Sequence, residues 1–172
     1  AGLYWAYRAG NVNIVNAIGN GVSDDKAIYA YVPDMIRYYL NETPILNNVP
    51  TYHMENEDYR EMVFGKMNDM VIKRTNGSGG YGMLIGNSAT DEQINDFKKA
   101  ITENPRDFIA QPIINLSSSP CFINNELSPR RVDLRPFALY GPRGIYIVPG
   151  GLTRVALKEG SLVVNSSQGG GS

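Results

Sequence analysis

Cysteine and histidine are scarce in this sequence, which contains one of each, Cys121 and His53, among 172 residues. A single cysteine cannot form an internal disulfide, and a single histidine cannot build a His-rich metal site. These absences exclude zinc ribbons, disulfide scaffolds and proteases with a conventional Cys–His pair. Cys121 lies in a Ser/Pro-rich stretch that we expect to be a loop, and it has no partner base near it in the sequence, so we expect no nucleophile there. The single cysteine favours a reduced, cytoplasmic compartment. We expect His53 to lie at the surface.

Excess charge of one sign and long apolar runs are also absent. Sixteen basic residues face seventeen acidic ones, which leaves a net charge of −1. Such a chain has no global field that would capture a nucleic acid or an anionic membrane. No apolar run approaches the roughly 20 residues that a membrane-spanning helix needs. We therefore expect neither nucleic acid nor membrane as a partner, and the sequence is silent on oligomeric state.

The length and the two ends suggest a part of a larger protein. Apolar residues make up 42% and charged residues 19% of the chain, which is typical of a folded globular domain. The sequence begins at Ala1 and stops within a run of glycines that ends at Ser172. We therefore expect both ends to be cut and these residues to be the fragment of a longer chain.

The hydrophobic pattern predicts short helices and strands in an α+β arrangement. The first helix is expected to begin at a cap, Ser23 or Asp24, and to be interrupted at Pro33. Another helix is expected to begin at the capping box of Thr90 and Gln93. A third helix is expected over 57–68, and an extended connector over 41–52. The predicted strands are 12–16, 70–75, 81–85, 108–113, 132–140, 145–148, 152–157 and 162–165.

A glycine-rich loop between two predicted strands is the sharpest signal for chemistry. It comprises Gly77, Ser78, Gly79, Gly80 and Gly82, and Lys73 lies on the strand that enters it. Glycines let backbone N–H groups approach a polyphosphate closely, and the lysine ammonium would add a charge. The loop is not a Walker A motif, because no Gly-Lys-Ser/Thr follows and no helix begins there. An ordinary glycine-rich hairpin explains the loop equally well.

Three further groups of residues have both a binding and a purely structural interpretation. Arg154 and Asn165 are predicted on neighbouring strands, where they would face a phosphate or form a solvated end of the chain. Asp133 and Arg135 share a strand face, either as ligand contacts or as a salt-bridged pair. The third group, at the predicted start of the first helix, is either a phosphate and metal site or an ordinary helix cap, and consists of Asn16, Asp24, Asp25 and Lys26.

Basic residues concentrate toward the end of the chain. Residues 128–172 carry six basic and two acidic side chains, although the whole chain is nearly neutral. A local positive field in the same region as the glycine runs favours a phosphate-bearing ligand over a carbohydrate or an apolar one.

Taken together, five segments resemble the ATP-grasp superfamily, and specifically its circularly permuted type 2 branch of glutathionylspermidine-synthase-like bacterial proteins. They are NAIGNGVSDDK, YVPDMIRYYL, VIKRTNGSGGYGMLIG, VDLRPF and GGLTRVALKEGSLVVNSSQGGGS, which begin at Asn16, Tyr31, Val71, Val132 and Gly150. The order supports a permutation, since a strand with an Asn like Asn16 usually closes such a domain and here it comes first.

The resemblance implies a fold in which two small α+β subdomains with antiparallel sheets clamp ATP and Mg²⁺. Its expected parts are 1–52 with the permuted closing strand, turn, helix and connector, 53–113 with the lysine strand and glycine loop, and 114–172 as the strand-rich nucleotide-facing segment. By resemblance, Lys26, Lys73, the loop 77–82, Gln111 and Asn165 contact the nucleotide. Arg135 and Arg154 contact a phosphate or acyl phosphate, and Asn16 binds magnesium.

One departure from the family pattern concerns the metal. The family places a Glu two residues before the metal-ligating Asn, and this sequence has Ile14 there. The carboxylates that would hold magnesium are not identifiable, apart from Asp133 or Asp24 as candidates.

The resemblance implies an ATP-dependent carboxylate–amine ligase that acts on small-molecule or peptide-like carboxylates and amines through an acyl phosphate. Two alternatives remain open. One is a phosphotransferase that uses the same ATP clamp. The other is a nucleotide-binding module without catalysis, which is favoured by Ile14 in place of the family's Glu.

Overall fold

The computed structural model describes residues 2–15, 18–77, 82–123, 125–156, 158–162 and 164. Their elements mix short helices with antiparallel strands, which confirms the predicted α+β class. These residues divide into two compact units. The first contains the described residues up to Gly77 together with Gly82–Pro112, and the second begins at Ile113.

All five α-helices of the described residues lie in the first unit. They are α1 Gly2–Arg8, α2 Lys26–Tyr29, α3 Val32–Met35, α4 Glu57–Phe64 and α5 Asp91–Glu103. Shorter turns of 3₁₀ helix and one of π helix connect them, at Asn20–Asp24, Ile36–Leu40, Met67–Asp69, Gly86–Ser88 and Pro105–Asp107. Most of these helices are too short to be stable alone, so tertiary packing must hold them.

The first unit is built on one antiparallel sheet of four strands in the order β1-β4-β2-β3. The strands are β1 Tyr52–His53, β2 Met70–Arg74, β3 Met83–Ile85 and β4 Phe108–Pro112. In β2, alternate side chains point to opposite faces, and Met70 and Ile72 are buried. They pack in one core with Val63 of α4 and Ile101 of α5, so this face carries the helices.

The opposite face of the sheet carries polar groups beside apolar ones. Register pairs Lys73 with Ile109 and Val71 with Gln111, and it pairs His53 with Ile109. Paired residues share a face, so Lys73, Gln111 and His53 lie on the side of the sheet away from α4 and α5. The backbone N–H of Lys26 donates to the carbonyl of Thr75 at 3.0 Å, which places α2 at the end of β2.

The second unit contains one antiparallel sheet in the order β5-β6-β7. Its strands are β5 Ser118–Ile123, β6 Glu126–Gly141 and β7 Gly144–Val155. The turn between β6 and β7 needs a glycine, because Gly144 has φ of 102°. The tip of this hairpin exposes apolar side chains on both faces, including Tyr140, which is 89% exposed.

Several local predictions are confirmed. Thr90 and Gln93 form both hydrogen bonds of the capping box at the start of α5. The helix ends before Asn104, where the following proline stops it. The strand predicted over 70–75 is β2, and the buried strand predicted over 108–113 is β4. These signals succeed because caps and alternation act over a few residues.

Predictions for the beginning of the chain are partly wrong. Residues 12–15 form no strand, and Val15 is 94% exposed, because no neighbouring strand pairs with them among the described residues. The cap of α2 is Asp25 instead of Ser23 or Asp24, since its carboxylate accepts from the N–H of Ala27 at 2.8 Å. Pro33 interrupts the helical segment as expected, in the first turn of α3.

The strand predictions for the second unit need correction as well. The strands expected over 145–148 and 152–157 are one strand, β7, which continues through Pro149 and Gly150. The stretch around Cys121, expected to be a loop, is β5, and its backbone pairs with β6 from Ser118 to Ile123. Residues 162 and 164, part of a predicted strand, belong to no strand. Pairing with β6 decides these elements, and local composition cannot show it.

We predict that Gly86→Ala strongly destabilises the first unit. A Cβ atom at this buried position would lie 1.8 Å from the carbonyl oxygen of Met67, so the two 3₁₀ turns would have to separate. We expect the free energy of unfolding to fall by about 3 kcal/mol. Urea denaturation measures it, with Gly21→Ala as the control because nothing lies within 4 Å of that Cβ. Equal midpoints for the two variants would contradict this packing.

Candidate functional site

The candidate site lies on the polar face of the first sheet and is built around Lys73 of β2. Its Nζ donates a hydrogen bond to Oε1 of Gln111 on β4 at 2.7 Å. Both side chains are half-buried. The antiparallel pairing of β2 with β4 brings them together across 38 positions of sequence. The structure therefore brings together two of the residues that the sequence singled out.

Gln111 is held from its other end by a residue that the sequence analysis missed. Its Nε2 donates to Oγ1 of Thr51 at 2.8 Å. The Thr51 hydroxyl in turn donates to the backbone carbonyl of Val49 at 3.0 Å. The only sequence signal for Thr51 is its place at the end of the connector, immediately before β1, and the pairing of β1 with β4 is a long-range event.

Lys26, at the start of α2, is the second cation of the site. Its Nζ donates to the backbone carbonyl of Gly77, at the start of the glycine-rich loop. The N-cap Asp25 fixes the first turn of the helix through the N–H of Ala27. The two predicted lysines thus belong to one unit, with Lys26 at the loop and Lys73 on the adjoining strand.

The electrostatic state of Lys73 follows from its surroundings. Burial lowers the pKa of its ammonium below the ordinary value, and the positive charge of Lys26 lowers this pKa further. Among the ion pairs formed by the described residues, none includes Lys26 or Lys73. Two ammonium groups without a carboxylate partner make a local positive field that suits an anion and repels a metal cation.

The glycine-rich loop is described only at its two ends. Ser78, Gly79 and Gly80 lie outside the described residues. Gly82 has φ of 67°, and a Cβ there would lie 3.2 Å from Cδ of Arg74. A side chain at this position would therefore be strained in its backbone and crowded by its neighbour, which is a conformational reason for glycine.

His53 is not the surface residue that the sequence suggested. It lies half-buried on the same sheet face, and its ring centroid is 5.0 Å from that of Tyr31. Its Nε2 is buried and has no hydrogen-bond partner among the described residues. With Thr51 and Tyr31 it lines a cleft of about 490 Å³. Pairing of β1 with β4 brings it inward, and two residues of strand are too short to recognise by alternation.

The second unit holds a different arrangement, in which Asp133 binds two arginines. Its carboxylate accepts from Nη2 of Arg154 at 3.1 Å and from Nε of Arg135 at 3.4 Å. Burial pushes the pKa of Asp133 upward, but the hydrogen bonds and charge of Arg154, with a further bond from Arg135, outweigh it and leave this pKa below its ordinary value. The salt bridge expected on this strand face is therefore present, and a ligand contact by Arg135 stays a prediction.

The expected meeting of Arg154 with Asn165 stays a prediction. Arg154 lies on β7 opposite Asp133 of β6, and Asn165 lies outside the described residues. The side chain of Arg154 is 15% exposed and its charge is compensated, whereas that of Arg135 is 53% exposed. Of the two predicted phosphate contacts, Arg135 is the more accessible.

A magnesium site does not fit the described residues. They contain no group of three or more His, Cys, Asp or Glu side chains that could hold a metal ion. Asp133 is committed to its arginines, Asp24 is exposed in a 3₁₀ turn, and Asn16 lies outside the described residues.

No helix among the residues that the structure describes is long and apolar enough to cross a membrane.

Known proteins are similar to this chain over nearly its whole length. The family described as "Circularly permuted ATP-grasp type 2" matches residues 1–156. An uncharacterised protein of Synechocystis sp. is 54% identical over 171 residues, which are 99% of this chain and 36% of that protein. An uncharacterised protein of Mycobacterium leprae is 52% identical over 172 residues, which are 100% of this chain and 31% of that protein.

A further relative has a name that refers to an activity. A protein of Frankia casuarinae named "Putative glutamate--cysteine ligase 2-2" is 46% identical over 170 residues, which are 99% of this chain and 20% of that protein. This chain therefore spans about a third or less of the length of these curated relatives.

We predict that Lys26→Met raises the pKa of the Lys73 ammonium. The substitution removes the repulsion by Lys26 and leaves burial, so the pKa should move toward its ordinary value and remain below it. Titration of the ¹³Cε resonance of Lys73 by NMR measures this change. Lys99→Met is the charge-matched control, because Lys99 is an exposed residue of α5. An unchanged pKa in Lys26→Met would show that the two ammonium groups do not interact.

Proposed function

The chain belongs to the circularly permuted ATP-grasp type 2 family, and from that premise we propose that its residues form the nucleotide-binding part of an ATP-dependent ligase. The observation that carries this proposal is the pair of lysines without a carboxylate partner among the described residues, beside the start of the glycine-rich loop. Two relatives from Frankia, 46% and 45% identical, carry the name "Putative glutamate--cysteine ligase", which supports a ligase.

The proposed reaction joins a carboxylate to an amine. A carboxylate oxygen attacks the γ-phosphorus of ATP, ADP leaves with the bridging oxygen, and an acyl phosphate forms. The amine nitrogen then attacks the acyl carbon, phosphate leaves, and the nitrogen loses a proton as the amide forms. Positioned cations can stabilise the transferring phosphoryl group without a side-chain nucleophile, which agrees with the scarcity of Cys and His in this chain.

In this proposal, Lys26 and Lys73 contact the phosphates, and the loop from Gly77 to Gly82 covers them. Gln111 was expected to reach the adenine, and each of its two polar groups already makes one bond, to Lys73 and to Thr51. A carboxamide carries a second lone pair and a second N–H, so an adenine contact is compatible with both bonds.

The arginines take different parts in the proposal. Arg135 is exposed enough to meet a phosphate or acyl phosphate as it stands. Arg154 would have to exchange its bond to Asp133 for one to the ligand. Asn165 as a triphosphate contact, Asn16 as a magnesium ligand and the glutathionylspermidine-synthase-like relationship remain proposals from family resemblance. The cytoplasmic location is a proposal from the single cysteine.

A nucleotide-binding module without catalysis is the second candidate. It is favoured by Ile14, at the position of the family's Glu, and by the lack of a metal-binding group among the described residues. The phosphotransferase alternative shares the ATP clamp and differs only in the acceptor. The carboxylate and amine substrates are proposed by class alone, as small-molecule or peptide-like compounds.

We predict that Lys73→Met weakens binding of ATP in the presence of Mg²⁺ at least tenfold, because a half-buried cation facing the phosphates is lost. Isothermal titration calorimetry measures the dissociation constant. Lys99→Met, which removes an exposed lysine of α5, should bind like the unaltered protein. If Lys73→Met and Lys99→Met bind ATP equally well, Lys73 does not contact the nucleotide and the proposed function loses its main support.

Product analysis distinguishes the three candidates, which are a ligase, a phosphotransferase and a non-catalytic module. For a ligase, we expect ADP, phosphate and an amide in equal amounts when ATP is supplied with glutamate and a panel of amines. A stable phosphorylated product would identify a phosphotransferase. ATP binding without release of ADP, measured on the full-length protein, would identify the non-catalytic module.

A further inference from the structure

We propose that Thr51 is a positioning residue for Lys73. Its hydroxyl orients the carboxamide of Gln111 so that a neutral oxygen, and not an amide nitrogen, faces the ammonium. This inference rests on the proposed function, because it concerns how the same anion site is held ready for a polyphosphate. Nothing in the family match or in the relatives' names assigns a role to this residue.

The hydrogen bonds that join Lys73, Gln111 and Thr51 all run in one direction. The chain of bonds runs from Nζ of Lys73 to Oε1 of Gln111, from Nε2 of Gln111 to Oγ1 of Thr51, and from Oγ1 of Thr51 to the carbonyl of Val49. Its first member can only donate and its last can only accept. Because the hydroxyl has one proton and donates it to Val49, its oxygen accepts from Gln111.

This direction determines which end of the carboxamide Lys73 meets. With the NH₂ group held at Thr51, the carbonyl oxygen of Gln111 is left to accept from the ammonium. A rotated carboxamide would place its NH₂ group against the ammonium of Lys73, donor against donor. Its oxygen would then face the hydroxyl oxygen of Thr51, acceptor against acceptor. Without the hydroxyl, only the ammonium of Lys73 would favour this orientation among the described contacts.

The acceptor is neutral, and this matters for the ligand. A carboxylate at position 111 would hold Lys73 more tightly and would cancel its charge. The carboxamide holds the ammonium and leaves its full charge to act together with that of Lys26. Thr51 and Gln111 therefore favour a multiply charged anion, such as a nucleoside triphosphate, over a neutral ligand.

The backbone places Thr51 at this point. It follows Pro50 and precedes β1, whose Tyr52 pairs with Ala110 of β4, the residue next to Gln111. Thr51 is half-buried, as are Gln111 and Lys73, so the bonds lie partly shielded from water and are stronger than exposed ones.

The test is the affinity for ATP with Mg²⁺ as a function of pH, in Thr51→Val and Thr51→Ser. Valine keeps the shape of the side chain and removes the hydroxyl, and we expect the dissociation constant to rise roughly fivefold. Serine keeps the hydroxyl and should stay within about twofold of the unaltered protein. Thr102→Val is the matched control, because that hydroxyl also donates to a backbone carbonyl, of Lys98, on α5.

The pH profile gives a readout that a merely structural role would not move. ATP affinity should fall as pH rises through the pKa of Lys73. In Thr51→Val this fall should occur at lower pH, because a carboxamide that Thr51 no longer holds stabilises the ammonium less. The valine and serine variants leave the other charged or titratable groups near this site unchanged, namely Lys26, His53 and the cleft residues Tyr31, Asp34, Glu55 and Tyr59.

A double-mutant cycle with Gln111 is a second test, and Thr51→Ala takes the place of Thr51→Val in it if the valine variant folds poorly. Gln111→Met removes the carbonyl, and we expect at least as large a loss of affinity as in Thr51→Val. Adding Thr51→Val to it should cause no further loss, since the hydroxyl acts only through Gln111. An independent further loss would overturn the proposal.

The outcomes separate this proposal from the one on which it rests. If Lys73→Met does not weaken ATP binding, the proposed function fails. If Lys73→Met weakens binding while Thr51→Val keeps the affinity and pH profile of the unaltered protein, only the role of Thr51 fails. Loss of affinity in Thr51→Val with recovery in Thr51→Ser, together with the shifted profile, supports both.

Discussion

The alternation of β2 is the constraint on which the core and the candidate site both depend. Met70 and Ile72 point to one face and are buried against the helices, and Lys73 therefore points to the other. A slip of one residue in the pairing of β2 with β4 would exchange the two faces. It would bring the ammonium into the apolar core and expose the core residues. The same hydrophobic contacts that hold the sheet thus fix the place of Lys73.

The two units handle positive charge in opposite ways. In the first, Lys26 and Lys73 meet only neutral acceptors among the described residues, the carbonyl of Gly77 and the carboxamide of Gln111. In the second, one carboxylate binds both arginines of the strand face, and its single negative charge offsets one of their two positive charges. An uncompensated cation in a half-buried site costs stability, and binding an anion restores the balance. The lysine face is therefore the better candidate for anion binding.

Local signals in the sequence were reliable where they act over a few residues. The capping box of Thr90 and Gln93, the interruption at Pro33 and the strands around the glycine loop were all predictable, because each depends on neighbouring backbone groups. The predicted strand over 12–16 and the predicted loop around Cys121 show the opposite case. A strand forms where a partner strand offers hydrogen bonds, and the sequence does not state which segments become partners.

The sequence by itself determined the α+β class, the family resemblance, the two candidate lysines and the presence of a glycine-rich loop. It could not determine what those lysines touch. The bonds of Lys73 to Gln111 and of Gln111 to Thr51 join residues 38 and 60 positions apart, and the bond of Asp133 to Arg154 spans 21. Only the tertiary structure decided these contacts, because strand register is set by the burial of a whole sheet face and not by the residues that the register brings together.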